Sequence, residues 1–318
     1  MPATGDDLGR RLRDGDLSAA PAVLNLVENR APAQREEIAA LLHAVSPAAL
    51  CGEAPAHVVG VTGPPGAGKS SLLSHLVAAW RGRERSVAVL AVDPSSKRSG
   101  GALLGDRARI VVDPRDEGVF IRSMAAGGRL GGLAPATRAA AHALAAAFDV
   151  VVIETVGVGQ SETEVAEVAD SVAVVVQPGG GDVLQFLKSG IMEIPDVLVV
   201  TKADLGPVAQ RSRRDLSAAL RSLGVKETKV VAVSSLAPPA GFDELVDALE
   251  EHRARLDVPA RRLAARRASA LADFGAEHGE RGLRALGGRR AALKLLGAQD
   301  AALDVPALTR ALEARAAV

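Results

Sequence analysis

From residue 57 onward the chain alternates short, unbroken apolar runs with Ala- and Leu-rich stretches whose apolar positions recur every three or four residues. The runs are 57–61, 87–92, 110–112, 150–153, 172–176, 197–200 and 229–233, punctuated by Gly, Pro and Asp. A run without polar alternation suits a strand covered on both faces, and strands separated by helices imply parallel pairing through right-handed crossovers. The pattern predicts an α/β fold, a mostly parallel doubly wound sheet over residues 55–254. Ahead of it, residues 8–13, 18–30 and 34–45 have helical spacing, with Ser18 as a helix N-cap, which predicts a helical N-terminal extension over 1–54. The Ala-rich stretch 139–147 reads as a further helix, with Leu144 and Phe148 as an i, i+4 pair. Past Pro259 no strand-like run remains, which predicts a helical appendage over 255–318. Its Leu263, Leu271, Phe274, Leu283 and Leu286 exceed what one domain edge can bury and point to a homodimer through this region. The basic cluster Arg261, Arg262, Arg266 and Arg267 reads as a solvated helix face or an interface rim.

Charge and composition narrow the partners. The 38 Lys and Arg balance the 38 Asp and Glu among 318 residues, and aromatics make up only 2%, so neither a basic field nor a base-stacking platform is present for nucleic acid. The single cysteine, Cys51, excludes an intramolecular disulfide and a thiolate metal cage. No apolar stretch reaches the 18 or so residues of a membrane span, and residues 1–16 mix charges without an apolar core. The expectation is a cytoplasmic protein without a membrane or nucleic-acid partner.

Candidate chemistry begins directly after the first predicted strand. Gly63-Pro64-Pro65-Gly66-Ala67-Gly68-Lys69-Ser70 fits GxxxxGK[ST] and runs through Ser71 into an apolar helix. Glycines are needed there because the backbone must turn tightly enough for successive N–H groups to point inward at phosphate oxygens, beside the positive end of the helix. Lys69 adds a full charge on the outer phosphates, and the Ser70 hydroxyl can ligate Mg²⁺. A second Mg²⁺ ligand on this fold comes from a carboxylate at a strand end, for which Asp93, Asp106 and Glu154 are the candidates. Glu154-Thr155-Val156-Gly157 is ExxG where Ras-like GTPases carry DxxG, with the Gly157 N–H placed to sense a γ-phosphate. Thr201-Lys202-Ala203-Asp204 matches [NT]KxD. Guanine offers a carboxylate two parallel donors and adenine does not, so Asp204 selects GTP and GDP, while the Lys202 stem covers the base. Thr201 in place of Asn removes the amide that ties this motif to the phosphate loop. Ser234-Ser235-Leu236 stands where such enzymes carry an SA[KL] loop.

On these motifs the sequence resembles the MeaB/ArgK family of P-loop GTPases, relatives of the human methylmalonic aciduria type A protein. The resemblance is carried by residues 61–71, 89–106 (VLAVDPSSKRSGGALLGD), 151–165 (VVIETVGVGQSETEV) and 179–193, and extends over essentially the whole chain. It departs at Thr201, at Lys97, and at Gly179-Gly180-Gly181-Asp182. The resemblance implies a GTPase chaperone that gates cofactor loading and protection of an adenosylcobalamin-dependent acyl-CoA mutase, dimeric through its C-terminal region.

The residue after Gly157 is Val158, where Ras-like enzymes carry the glutamine that orients water. Slow intrinsic hydrolysis is expected, with Gln160 as a candidate substitute and a partner supplying the missing alignment. Asp182, Gln185 and Lys188, in a Gly-rich polar loop, are the candidate partner-sensing residues. Three other functions are compatible with a phosphate loop. A nickel metallochaperone GTPase would need clustered Cys and His, and none of the six His falls in a close ligand pair. A small-molecule kinase would need an acceptor base beyond the metal carboxylates. A GTP-dependent scaffold without turnover is separable only by measuring hydrolysis.

Overall fold

The computed structural model describes residues 3–29, 31–93, 110–126, 133–155, 160–179, 195–225 and 227–316, with side chains placed except at 93 and 160–163. Its strands are β1 (His57–Thr62), β2 (Val87–Asp93), β3 (Val119–Ala125), β4 (Val150–Glu154), β5 (Ser171–Val176), β6 (Val197–Val200) and β7 (Lys229–Ala232). Its helices are α1 (Gly5–Arg13), α2 (Ala20–Val27), α3 (Arg35–Ala44), α4 (Pro47–Leu50), α5 (Lys69–Gly82) and α6 (Pro135–Leu144), then α7 (Gln160–Val168), α8 (Pro207–Ser222), α9 (Phe242–Arg255), α10 (Val258–Ala285), α11 (Arg289–Gly297) and α12 (Val305–Ala316). They divide between two compact units, one of residues 57–134 and 149–256, the other of 1–56, 135–148 and 257–318.

The first unit is a seven-stranded sheet in the order β3-β2-β4-β1-β5-β6-β7, every named pair parallel. Strands β1, β4, β5 and β6 are buried along their whole length, as their unbroken apolar runs require. Val59, Val61, Val152, Val175 and Val199 pack on Leu72, Leu76 and Trp80 of α5 and Leu245 and Leu249 of α9. On the other side of β1, Gly60 leaves room for Val165 of α7, whose Cγ2 would sit 2.7 Å from any Cβ placed there. Helices on both faces make the sheet doubly wound.

The third strand lies at 119–125 and not at 110–112. Ile110 is buried, but Val111 is 76% exposed and Pro114 follows closely, so the segment never pairs. Val119–Ala125 escapes an apolar-run search because it carries Arg122 and Ser123, a composition tolerated by an edge strand with β2 as its one neighbour among the described residues. A turn delivers it: Asp116 accepts the Gly118 N–H and binds Arg81 of α5 through two bonds of 2.7 Å.

The helical unit gathers both flanks and α6, which packs with α1, α2, α3 and α10 although β3 and β4 bracket it in sequence. Ser18 does not cap a helix. The cap is Asp16, whose carboxylate accepts the Ser18 N–H at 3.0 Å and holds its hydroxyl at 2.6 Å. The C-terminal helices supply their own core: Leu271 and Phe274 are buried with Leu296, Leu308 and Leu312, and Leu283 and Leu286 pack against them. The apolar excess inferred for this region is thus largely absorbed within the unit.

Two of the four arginines in the basic cluster do not lie on a solvated face. Arg262 is 7% exposed and donates to the carbonyls of Ala54 and Ala56, while Arg266, 5% exposed, clasps Glu53 through bonds of 2.7 and 2.9 Å and reaches Ala301 O at 2.8 Å. A buried guanidinium is tolerated only when paired, and deleting one partner strands the other. Glu53→Ala is therefore expected to cost about 3–5 kcal/mol in urea unfolding, and Glu53→Leu with Arg266→Met to cost far less.

Candidate functional site

The phosphate loop is shaped by glycines where no other residue fits. Gly63 has φ 145°, and a Cβ on it would stand 2.2 Å from the Val175 carbonyl oxygen of β5. Gly66 and Gly68 have φ of 79° and 92°. Gly68 caps α5 without a side-chain hydrogen bond, so the cap takes up none of the first-turn N–H donors of that helix. Lys69 is buried with its Nζ donating to the carbonyls of Gly63 at 2.7 Å and Pro64 at 3.2 Å, which holds the charge over the loop. Ala67 is buried, Pro64 and Ser70 are half-buried, and Pro65 and Ser71 face solvent. Donors and cation together fit the polyphosphate of a nucleotide.

Glu154 ends β4 almost wholly buried, in register with Val61 of β1 and Ala91 of β2, two residues short of Asp93 at the end of β2. The next residue locks this corner: the Thr155 N–H donates to Val61 O at 3.0 Å and its hydroxyl to that of Thr62 at 2.8 Å. Hard oxygen ligands at one sheet edge suit Mg²⁺, for which Ser70 and Glu154 are the described candidates. Of Asp93 and Gln160 the structure describes the backbone, as the last residue of β2 and the first of α7. Asp106, Gly157, Asp182, Gln185 and Lys188 lie outside the described residues.

The candidate base-reading residues follow β6. The expectation that Thr201 would leave this segment untied from the phosphate loop is overturned: its hydroxyl donates to Ala67 O at 2.7 Å, a short hydroxyl doing the work expected of an amide. Lys202 adopts a left-handed backbone, φ 52°, and its ammonium binds Gln177 Oε1 at 2.7 Å. Gln177, just past β5, belongs to no motif and was invisible to spacing. Asp204 Oδ1 accepts the Ser234 hydroxyl at 2.9 Å, and the Ala203 N–H donates to Val233 O at 3.0 Å. Ser234 and Ala240 exchange two backbone bonds of 3.0 Å, closing the loop that carries Ser235 and the exposed Leu236. The arrangement can bind a phosphate chain at β1 and read a base at β6 and β7.

Comparisons agree with that chemistry. A family model described as methylmalonyl Co-A mutase-associated GTPase MeaB matches residues 20–277. A putative GTPase of Pyrococcus abyssi is 43% identical over 260 residues, 79% of this chain and 77% of that one. The mouse (Mus musculus) mitochondrial methylmalonic aciduria type A homolog is 40% identical over 200 residues, 61% of this chain and 48% of its own length. The solved structure of a LAO/AO transport system kinase superposes with a TM-score of 0.67 at 27% identity, covering 100% of this chain and 99% of that one.

Thr201→Val removes the hydroxyl that satisfies the buried Ala67 carbonyl, and a lost buried hydrogen bond costs about 1–3 kcal/mol. Calorimetric titration is expected to show GDP affinity falling about tenfold in Thr201→Val, with Thr201→Ser near the parent value.

Proposed function

The chain belongs to the MeaB family of P-loop GTPases, and from that premise we propose that it is a GTP-driven chaperone of an adenosylcobalamin-dependent acyl-CoA mutase, gating cofactor loading and protecting the loaded enzyme. What supports this reading is the family match over residues 20–277 together with a phosphate loop and a guanine-reading loop tied to one another by Thr201. Lys69 and the N–H groups of Gly66, Gly68, Lys69 and Ser70 bind the phosphates, Ser70, Asp93, Asp106 and Glu154 would hold Mg²⁺, and Asp204 selects guanine. Bound there, Mg²⁺ would supply charge neutralisation.

Val158 has no group to orient water, so the resting protein binds GTP well and hydrolyses it slowly. The mutase aligns residues 156–161 and 179–188, with Gln160 as the water-orienting candidate and Asp182, Gln185 and Lys188 sensing the partner. The kinase named in the similar structure would need an acceptor base in the site, and among the described residues Glu154 is the one buried carboxylate at this edge, claimed by the metal.

Single-turnover hydrolysis with and without a cobalamin-dependent mutase tests the proposal. A partner-induced rise of about tenfold, equivalent to about 1.4 kcal/mol of barrier, is expected, and Lys188→Ala should abolish the rise while leaving basal turnover intact. Fast basal turnover, or no response to the mutase, would sink it.

We further read the protein as a cytoplasmic homodimer. Among the described residues no helix is long and apolar enough to cross a membrane. Leu293 on α11 stays 46% exposed and Leu263 is half-buried, which leaves apolar side chains for a second copy. Light scattering should show a dimer, and Leu293→Glu should shift it toward monomer.

A further inference from the structure

The loop that carries Ser234, Ser235 and Leu236 is held from a direction the nucleotide motifs do not account for. His75 stands on α5 six residues after Lys69, with its ring tilted against Phe242 at a centroid distance of 5.1 Å. Its Nε2 lies 3.1 Å from the Ser235 carbonyl oxygen. A carbonyl only accepts, so Nε2 carries the proton. The other end of the same peptide unit is the Leu236 N–H, which donates to Ser234 Oγ at 3.3 Å, and the Ser234 hydroxyl in turn donates to Asp204 Oδ1 at 2.9 Å. His75, the peptide, Ser234 and Asp204 therefore form one chain in which every donor points the same way, so each bond polarises the next. One peptide plane is pinned at both ends, and the carboxylate at the far end is the group that reads the base.

We propose that His75 is a positioning residue for guanine selection, acting through the Ser235–Leu236 peptide and Ser234 on Asp204. The helix that carries the phosphate-binding lysine and the carboxylate that reads the base are thereby one hydrogen-bonded unit. The proposal rests on the reading that Asp204 selects guanine. Without His75 the peptide can rotate, the Ser234 hydroxyl loses the Leu236 N–H that orients it while its backbone stays bound to Ala240, and Asp204 no longer presents its oxygens in the plane that two parallel donors require. Phosphate contacts at residues 63–70 do not depend on this chain, so the defect falls on the base and not on the phosphates.

The test measures GDP and IDP affinities by calorimetry in the presence of Mg²⁺. Hypoxanthine lacks the 2-amino group, so the GDP-to-IDP ratio reports how well Asp204 is aimed. His75→Leu is expected to lower GDP affinity about tenfold and to shrink the ratio by nearly as much, with IDP affinity little changed. His75→Gln, whose amide nitrogen stands where Nε2 stood, should restore both. His75→Phe, which keeps the packing on Phe242, replaces the Leu variant if that one does not fold. A parental ratio in the Leu and Phe variants, or a Gln variant no better than they are, overturns the role of His75. Asp204→Asn in the same assay separates the two ideas: a parental ratio there overturns base reading by Asp204, and the proposal with it. A collapsed ratio there beside an unchanged one in His75→Leu overturns the proposal alone.

Discussion

The contact on which the site depends is the approach of Gly63 to the carbonyl of Val175. With a hypothetical Cβ only 2.2 Å from that oxygen, the chain leaving β1 can cross the end of β5 solely because residue 63 has no side chain. The crossing lies at the centre of the sheet, where β1 has β4 on one side and β5 on the other. Successive connections diverge there, and in parallel sheets that divergence opens a crevice at the carboxyl ends of the strands. Because all the strands are parallel, Thr62, Asp93, Glu154, Gln177 and Thr201 emerge at one edge without any further device.

Two half-sites need a rigid connection if phosphate and base are to be read as one ligand. Thr201 supplies it by reaching back to Ala67 across the interval between β6 and the phosphate loop, and a hydroxyl suffices because donor and acceptor are only 2.7 Å apart. Lys202 is anchored separately, its ammonium on Gln177, with a left-handed backbone that aims the stem. The cost of that backbone conformation is offset by the bond of Ala203 to Val233, which fixes the turn from the β7 side.

Much of this was readable from residue order because the constraints are local. Strands buried on both faces must be apolar throughout, and a phosphate loop must have glycine where φ is positive, so β1, β4, β5, β6 and residues 63–70 announce themselves. An edge strand is under neither rule, which is why β3 hides behind Arg122 and Ser123 while the apolar 110–112 segment misleads. Gln177 and His75 were illegible for another reason: each is a lone polar residue whose partner arrives from a different element. The buried arginines show the same limit. Nothing within their own helix distinguishes Arg266 from a solvated neighbour until Glu53, 213 residues earlier, is brought to it.

The helical unit is assembled from three separated segments, 1–56, 135–148 and 257–318. During synthesis, α1 to α3 leave the ribosome long before α10 and α12 exist. At about 5–20 residues per second, the interval is roughly 15 to 60 s. Through that time Leu8, Leu12, Leu24 and Leu41, buried in the finished protein, lack part of their surroundings. The nascent chain thus passes through a stage in which its earliest helices are its least complete, and a ribosome stalled after β7 would expose them to proteases and holdases even with every strand of the sheet already made.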